Sequence, residues 1–242
     1  MPHQPFAQTD PATVFRLFDQ TARTYDLLND LLSLGLHRLW KRQAVALLQP
    51  RPGARIVDLC CGTADLALLL AERVRPHGCV IGVDGSAASL EQARQRAAER
   101  PWLHLEFIRA DVLALPLPPG AADGVMMAYG LRNLASIAAG LRVIRYLLKP
   151  HGRAVVLDFN RPSRPLWAQA QRSYLQQVVV PVARMMDLEA EYTYLERSIA
   201  TFATGAQQEA LARQAGFAVA RHHPIAGSLM GLLELGLAGG RS

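Results

Sequence analysis

The sequence predicts an α/β protein with a seven-stranded, mostly parallel sheet and helices on both faces. Two observations carry this prediction. Across residues 55–160, short apolar strands alternate with amphipathic helices, and such alternation implies right-handed crossovers within a parallel sheet. After a helical stretch, the chain ends in two further apolar segments that are typical of strands joined by a turn at Gly227.

The first fifty residues are expected to form an N-terminal helical cap, residues 1–50. Asp10 followed by Pro11 is typical of a helix start, and an apolar stripe with helical spacing follows. Gly35 should interrupt this region. The segment HRLWKRQAVALL then predicts a further helix, which the Pro-Arg-Pro-Gly turn at residues 50–53 should end.

Residues 51–160 are assigned to the alternating core. Its five predicted strands are ARIVDLC, GCVIGVDG, LEFIRAD, ADGVMMAYG and GRAVVLDFN, which are short, as buried parallel strands are. The helices between them are ADLALLLAERV, AASLEQARQRAAER and SIAAGLRVIRYLLKP, and Pro150 with Gly152 is expected to close the last of these.

The alternation of strands and helices is lost after residue 160. Residues 161–205 are typical of irregular helices. We expect this insertion to line the substrate site, because insertions at the ligand edge of such folds usually form lids or pockets. Residues 206–242 are assigned to a C-terminal helix, around GAQQEALARQAGF, and to the two strands that complete the sheet.

Composition limits the classes of partner. The chain carries a net charge of +6, almost all of its basic residues are arginine, and no basic run is interleaved with aromatic residues. Nucleic acid is therefore not expected as a partner, whereas peripheral contact with an anionic membrane surface is. An arginine-rich composition without any function is the simpler explanation of the charge.

Cysteines and apolar segments bear on redox state and location. Cys60, Cys61 and Cys79 are odd in number and lack the spacing of metal ligands, so neither a disulfide framework nor a metal site is expected. The first residues show no signal-peptide pattern, and no apolar stretch reaches the ~18 residues of a membrane span. We expect a cytoplasmic protein that touches a membrane surface peripherally.

Aspartates close three successive predicted strands. Asp58 ends the first, Asp84 the second and Asp111 the third. Ligands of open α/β sheets bind at these ends, and a carboxylate after the second strand can accept the two hydroxyls of a ribose. The three acids together predict a nucleoside-type ligand, although each alone could cap the helix that follows it.

The loop after the first strand, VDLCCGTADL, is not a dinucleotide fingerprint, because Gly62 is its only glycine. It therefore argues against a pyrophosphate ligand. Small residues at Cys60, Gly62 and Ala64 would still let a ligand approach the backbone closely.

The segment YGLRN follows the fourth predicted strand at the same edge of the sheet. Gly130 would let the chain turn close to a ligand, and Arg132 and Asn133 would bring a fixed charge and an amide to it. Alternatively, Arg132 and Asn133 begin a helix, with Asn133 as its cap.

Three blocks of sequence carry a resemblance that covers nearly the whole chain: TYDLLNDLLSLGLHRLWKR, YGLRNL and DLEAEYTYLERSI. With the acids at the strand ends, they resemble the ubiquinone/menaquinone biosynthesis C-methyltransferase family of class I S-adenosylmethionine-dependent methyltransferases. The resemblance implies a Rossmann-like fold with one antiparallel strand, and S-adenosyl-L-methionine as cofactor. The cofactor contacts expected from it and from the strand ends are Asp58, Cys60, Gly62, Thr63, Asp84, Gly85, Asp111, Val112 and Ala128.

Two positions depart from this family. Ala64 stands where the family commonly has glycine, and Ala128 stands where it commonly has a hydroxyl residue. Because alanine has no polar side-chain atom, any hydrogen bond to a ligand at Ala128 must come from its backbone.

Within the family, the segments DLCCG, FATG and IAGSLMG resemble the branch that makes phylloquinone. The implied reaction is the final ring methylation of demethylphylloquinol, a phytylated 1,4-naphthoquinol. Demethylmenaquinol and a benzoquinol of the ubiquinone pathway are the alternative substrates.

The resemblance also gives roles to site residues. Arg132 would hold the quinol oxygen and stabilise its negative charge, and Asn133 would orient that oxygen or a water. The residues expected to contact the substrate are Tyr25, Asp26, Tyr129 and Tyr192. For Tyr25 and Asp26, the start of a surface helix is the competing explanation.

The residues alone leave other functions open. A methyltransferase for a soluble small molecule, a nucleotide-binding oxidoreductase and a binding module without activity are the alternatives. The missing glycine fingerprint counts against the second, and the intact pair of Arg132 and Asn133 counts against the third. The sequence is also compatible with a homo-oligomer.

Overall fold

A computed structural model describes the sheet and the helices that pack on it. The predicted α/β architecture is confirmed, because the described part contains seven strands in one sheet and six α-helices. The described residues are 33, 35–162, 169, 171, 173, 176–177, 180–181 and 189–239, without the side chains of 189–192.

Helix α1 spans His37–Leu48, as the sequence predicts. It follows Gly35, whose φ of 75° lies in the left-handed region that glycine adopts readily. The buried side of the helix, which includes Trp40 and Val45, packs against the sheet. Gln49 adopts a left-handed conformation and ends the helix just before the proline-rich turn.

The first three strands and the helices between them lie where the alternating pattern predicts them. They pair in parallel, with Leu59 opposite Val83 and Asp84 opposite Arg109, so that their carboxyl ends meet at one edge of the sheet. The elements are β1 (Arg55–Leu59), α2 (Asp65–Val74), β2 (Cys79–Asp84), α3 (Ala87–Ala98) and β3 (Leu105–Arg109).

The junction before the fifth strand differs from the prediction. Pro150 and Gly152 do not close the helix; they lie within the strand, which starts at Leu148 because that residue pairs with Ala122. The register then shifts before Gly124, as it does at a β-bulge. The elements are β4 (Ala122–Ala128), α4 (Ile137–Leu147) and β5 (Leu148–Phe159).

The last two strands complete the sheet as predicted. β6 (Val219–Ile225) and β7 (Met230–Gly236) are joined by a turn in which Gly227 has a φ of 62°. The strand order is β3-β2-β1-β4-β5-β7-β6, and in the described sheet β7 runs opposite to the other six strands. The order reverses between β1 and β4, which is where ligands of open α/β sheets bind.

Two further helices precede β6. They are α5 (Glu189–Thr201) and α6 (Gly205–Gln214), and α6 begins with a capping box formed by Thr204 and Gln207. The predicted division of the chain at residues 50, 160 and 205 stays a prediction, and most of residues 161–188 lies outside the described part.

Apolar layers cover both faces of the sheet. On one face, Leu70 of α2 and Val45 of α1 pack with side chains from the strands; on the other face, Leu141 and Ile144 of α4 do so. Complete burial of one such side chain stabilises the fold by about 1.5–3 kcal/mol. This packing holds the strand ends in fixed relative positions.

Candidate functional site

A cavity opens at the carboxyl edge of the sheet, where the order of the strands reverses. All nine residues predicted as cofactor contacts line it. Tyr129 and Asn133 also line it, whereas Arg132 is not among the lining residues. The structure therefore brings the predicted cofactor residues together around one space, and the role of each residue stays a prediction.

The loop between β1 and α2 lies against this cavity with an unusual backbone. Cys60, Gly62 and Ala64 have φ values of 58°, 54° and 70°. The left-handed conformation costs about 1–2 kcal/mol for a residue with a Cβ, so Cys60 and Ala64 are strained, as residues at ligand sites often are. Beside Gly62 the space is open, because a Cβ there would meet no atom within 4 Å.

Asp84 ends β2 with both carboxylate oxygens fixed by backbone amides. The N–H groups of Gly62 and Ser86 donate to Oδ2 and Oδ1, each at 2.9 Å. The cap of α3 is Ser86, whose hydroxyl accepts from the Ser89 N–H at 3.1 Å, so the helix does not require Asp84 as its cap. Because a carboxylate oxygen can accept more than one hydrogen bond, Asp84 can also accept hydroxyl groups in the cavity.

Asp111, by contrast, does cap a helix. Its Oδ1 accepts from the Leu113 N–H at 2.9 Å, at the start of the short 3-10 helix Val112–Ala114. Asp111 and Val112 still line the cavity. Asp111 therefore both caps the short helix and lies at the wall of the cavity.

Asp58 is the most deeply buried acid of the cavity, with an exposed fraction of 1%. Neither of its carboxylate oxygens accepts a hydrogen bond of good geometry among the described residues, and the nearby Ala67 N–H has the smallest effect on its pKa. Burial raises the pKa of Asp58 to about 8; Lys41 opposes this rise and Asp84 adds to it. A cationic group bound in the cavity would stabilise the charged form and lower this pKa.

Lys41 reaches the cavity from α1. Its ammonium donates to Oδ2 of Asp65 at 3.0 Å. Arg96 of α3 contacts the other oxygen of Asp65 and donates to the backbone oxygen and hydroxyl of Thr63 at 3.1 and 3.0 Å. Burial acts to raise the pKa of Asp65, but Lys41 and Arg96 together hold it below its usual value. This network ties the first loop to α1 and α3.

The segment YGLRN forms a short 3-10 helix, Leu131–Asn133, at the end of β4. The following α4 is capped by Ser136, whose hydroxyl accepts from the Ala139 N–H. The alternative in which Asn133 caps this α-helix is therefore wrong. Gly130 is required for close packing, because a Cβ there would lie 2.6 Å from the Cys60 sulfur.

Arg132 is engaged within the protein. Its Nη1 donates to Oδ1 of Asp158 at 2.6 Å and to the backbone oxygen of Tyr129 at 2.8 Å, and its Cζ lies 5.1 Å from the centre of the Phe159 ring. The Arg132 and Asp158 side chains are 6% and 3% exposed. The predicted contact between Arg132 and a quinol oxygen stays a prediction, since here the guanidinium holds Asp158 and the backbone of Tyr129.

Asn133 faces the cavity and is held at both ends of its amide. Nδ2 donates to the backbone oxygen of Tyr129 at 3.0 Å, and Oδ1 accepts from the Tyr194 hydroxyl at 2.9 Å. Tyr194 belongs to α5, within the predicted insertion. Its hydrogen bond therefore joins the insertion to the ligand edge of the sheet.

Three of the predicted substrate contacts fall outside what the structure describes. Tyr25 and Asp26 precede the first described residue, and Tyr192 belongs to α5 but its side chain is not described. Their roles stay predictions. Tyr129 lines the cavity, and its ring centre lies 6.0 Å from that of Phe159.

The cysteines beside the cavity are suited to packing. Burial is the main cause that raises the pKa of the Cys60 and Cys61 thiols, and the nearby Asp84 raises both further. A protonated thiol is a poor nucleophile, so both act as small residues that let a ligand approach. Among the described residues, no group of three or more histidine, cysteine or acidic side chains is placed to hold a metal ion.

The residues of the site that sequence reasoning missed include Lys41, Asp158 and Tyr194. Lys41 and Tyr194 lie in two of the blocks that carry the family resemblance, so those blocks were the signal for them. Asp158 lies near the end of β5 in the same way that the predicted acids close the first three strands. Extending the strand-end pattern to the fifth strand would have found it.

Several relatives match nearly the whole chain. A 2-phytyl-1,4-naphtoquinone methyltransferase of Synechococcus elongatus is 48% identical, over 92% of this chain and 96% of the relative. One of Trichormus variabilis is 45% identical, over 90% and 95%. The chloroplastic 2-phytyl-1,4-beta-naphthoquinone methyltransferase of Arabidopsis thaliana is 42% identical, over 90% and 84%.

Solved structures share the fold at low sequence identity. A SAM-dependent methyltransferase from Aquifex aeolicus is similar with a TM-score of 0.62 and 15% identity, over 95% of this chain and 99% of that one. The [4+2]-cyclase SpnF is similar with a TM-score of 0.61 and 16% identity, over 96% of both chains. At such identities, these structures confirm the predicted fold and say nothing about the reaction.

The family assignment rests on the extent of the match. The model of the ubiE/COQ5 methyltransferase family matches residues 7–233, which include both the described core and the insertion. The predicted family and cofactor are thus confirmed. The chain belongs to the ubiE/COQ5 methyltransferase family, and its methyl donor is S-adenosyl-L-methionine.

Proposed function

We propose that the chain methylates a ring carbon of a reduced prenylated quinone, and that its substrate is the phytylated 1,4-naphthoquinol whose methylation yields phylloquinol. One observation carries the choice of substrate: three relatives with 42–48% identity over at least 90% of the chain are 2-phytyl-1,4-naphthoquinone methyltransferases. Demethylmenaquinol and a benzoquinol are the competing substrates.

The residues of the cavity suit the methyl donor. Asp84, fixed by two backbone amides, would accept the ribose hydroxyls. Asp111 and the backbone of Val112 would meet the adenine, and Asp58 would face the ammonium group of the methionine part. The two unpartnered oxygens of Asp58 in the cavity wall support this placement, since a buried carboxylate requires a partner.

S-adenosyl-L-methionine supplies a methyl group bound to a sulfonium sulfur. The ring carbon of the quinol would displace the sulfur from this methyl group in one step and would then lose its hydrogen as a proton. The protein must hold the ring against the methyl group and favour the phenolate. Positioning of this kind can lower a barrier by about 7–11 kcal/mol. Asn133 would orient the quinol oxygen or a water, because its amide lines the cavity and is fixed at both ends.

Arg132 would act through its neighbours. Its Nη1 shares the Tyr129 carbonyl with the amide of Asn133, and its charge is balanced by Asp158. We therefore assign Arg132 a positioning role, holding Tyr129 and Asn133 at the cavity wall. Direct stabilisation of the phenolate by the guanidinium is the alternative, and the two roles predict opposite effects of neutralising Asp158.

The proposed substrate also bears on location. A phytyl tail is apolar, so the quinol resides in a bilayer and the enzyme must meet it at a membrane surface. No helix among the described residues is long and apolar enough to cross a membrane. The apolar tail would lie along residues 163–205 and the N-terminal helices, and the predicted homo-oligomer stays a prediction.

A parallel assay tests the choice of substrate. Methyl transfer from labelled S-adenosyl-L-methionine is measured with three quinols in the same detergent, all without the ring methyl. They are the phytylated naphthoquinol, demethylmenaquinol and a prenylated benzoquinol. We expect the highest kcat/KM with the phytylated naphthoquinol. A clear preference for the benzoquinol would overturn the substrate and leave the family unaffected.

A further inference from the structure

A second cleft, of about 460 Å³, opens beside the cofactor cavity and faces outward between α1, α2 and the end of α3. It shares only Lys41 and Asp65 with the cofactor cavity. We call it the arginine cleft, after the four arginines that line it: Arg38, Arg42, Arg96 and Arg100.

The charges of the arginine cleft are unbalanced. Five cationic side chains, the four arginines and Lys41, face two carboxylates, Asp65 and Glu72. Asp65 is already held by Lys41 and Arg96, and Glu72 lies 3.4 Å from Arg75 outside the cleft. Among the described residues that line the cleft, cationic side chains therefore outnumber carboxylates.

Two of the arginines have no anionic partner among the described residues. Within the described part of the chain, no carboxylate lies within ion-pair distance of Arg42 or Arg100. Nη1 of Arg100 is also buried and lacks any hydrogen-bond partner there. A phosphate in the cleft would pair with the accessible atoms of these two guanidinium groups, which have no carboxylate partner among the described residues.

Exposed apolar side chains flank this charge. Four large apolar side chains are exposed among the described residues. Three of them do not line the cleft but are near its lining residues in the chain or in space: Leu36, Leu39 and Trp102, which are 47%, 50% and 52% exposed. Leu36 and Leu39 flank the α1 residues that line it, and the Trp102 indole donates to Glu72 at 3.3 Å. A rim of leucine and tryptophan around arginine is typical of surfaces that enter the interface of a bilayer.

We propose that the arginine cleft binds the phosphate groups of anionic phospholipids and that its rim enters the membrane interface. The planar guanidinium fork matches a phosphate in two hydrogen bonds, and the net charge complements an anionic bilayer. A small soluble anion would need the arginines but not three exposed apolar side chains. The inference deepens and rests on the proposed function, because it names the surface through which a membrane-borne quinol is reached.

Vesicle flotation with the full chain tests this proposal. Phosphatidylcholine vesicles with and without phosphatidylglycerol are compared for the wild type, Arg42→Glu and the matched control Arg142→Glu, which carries the same charge change on exposed α4. We expect attachment to the anionic vesicles only, weakened about tenfold or more by Arg42→Glu and less than about twofold by Arg142→Glu. Equal losses in the two variants would overturn the site.

The apolar rim has its own matched pair. Trp102→Ser should weaken attachment, whereas Tyr146→Ser, at an exposed aromatic residue on α4, should not. Binding of inorganic phosphate by calorimetry without attachment to anionic vesicles would overturn the membrane as its source. S-adenosylhomocysteine binding should be unchanged in all variants, which shows that they fold. Flotation needs neither cofactor nor quinol, so its failure is separate from failure of the proposed reaction.

Discussion

The carboxylate of Asp158 accepts two hydrogen bonds from Arg132, from Nη1 at 2.6 Å and from the backbone N–H at 3.1 Å. The ion pair is buried, and it joins the end of β5 to the 3-10 helix that follows β4. Because Nη1 also holds the Tyr129 carbonyl, this pair fixes the backbone from which the Asn133 amide reaches the cavity.

Asp158→Asn should therefore lower kcat by about tenfold, because a neutral acceptor holds Arg132, and through it Asn133, less firmly. If Arg132 stabilised the phenolate directly, the same change would leave kcat unaltered or raise it, since more of the positive charge would be available. Pre-steady-state methyl transfer with saturating donor measures the difference.

Two controls accompany this test. Arg132→Ala should lower kcat by about two to three orders of magnitude under either role, and Arg132→Lys should not restore it, because lysine lacks the planar fork. Removing one member of a buried pair also destabilises a fold by about 3–5 kcal/mol. S-adenosylhomocysteine affinity, which neither residue should affect, shows whether each variant is folded at the assay temperature.

Tyr194→Phe removes the hydroxyl that donates to Asn133. We expect kcat to fall by about tenfold, as the loss of one hydrogen bond to a site residue allows, while donor affinity is unchanged. Tyr146→Phe is the matched control, because that tyrosine is exposed on α4. An unaltered kcat for Tyr194→Phe would show that α5 does not order the ligand edge.

Asp84→Ala should weaken S-adenosylhomocysteine binding by about tenfold or more, since a charge-assisted hydrogen bond is worth about 1.5–3 kcal/mol. Titration calorimetry measures the affinity directly. Asp84→Asn keeps one acceptor oxygen, so it can hold either the Gly62 or the Ser86 amide but not both, and it should weaken binding less than Asp84→Ala. Wild-type affinity in a folded Asp84→Ala protein would remove Asp84 from the cofactor site.

Asp58 should make stability fall as the pH rises. Its pKa of about 8 in the folded protein lies above the value near 4 of an unfolded chain. Its stabilising contribution is therefore complete below pH 4 and is lost progressively as the pH rises from about 4 to about 8. The slope from this one group is about 1.4 kcal/mol per pH unit. Asp58→Asn should abolish it in denaturant titrations.

The methyl donor provides an independent check on Asp58. Because a cationic ligand favours the charged carboxylate, binding of the donor at pH 7 should release a proton. Calorimetry in buffers of different ionisation enthalpy detects this release. The raised pKa would be contradicted if the free energy of unfolding of the wild type did not fall between pH 5 and pH 8 and if donor binding released no proton.

The sequence predicted the strands well because each is short, apolar and bounded by turn residues, and the acids at their ends identified the cavity. It failed where tertiary pairing decided the outcome. Leu148 joins β5 because Ala122 lies opposite it, and no local pattern shows this. The partner of Arg132, Asp158, lies 26 residues away in β5, so no local pattern shows this ion pair.

The most direct test of the account is single-turnover methyl transfer to the phytylated 1,4-naphthoquinone ring, prepared reduced and oxidised side by side. The ring carbon of the quinol is nucleophilic and that of the quinone is electrophilic, so we expect labelled product from the reduced substrate alone. Efficient methylation of the oxidised ring, or no transfer to the reduced ring by a protein that binds S-adenosylhomocysteine, would contradict it.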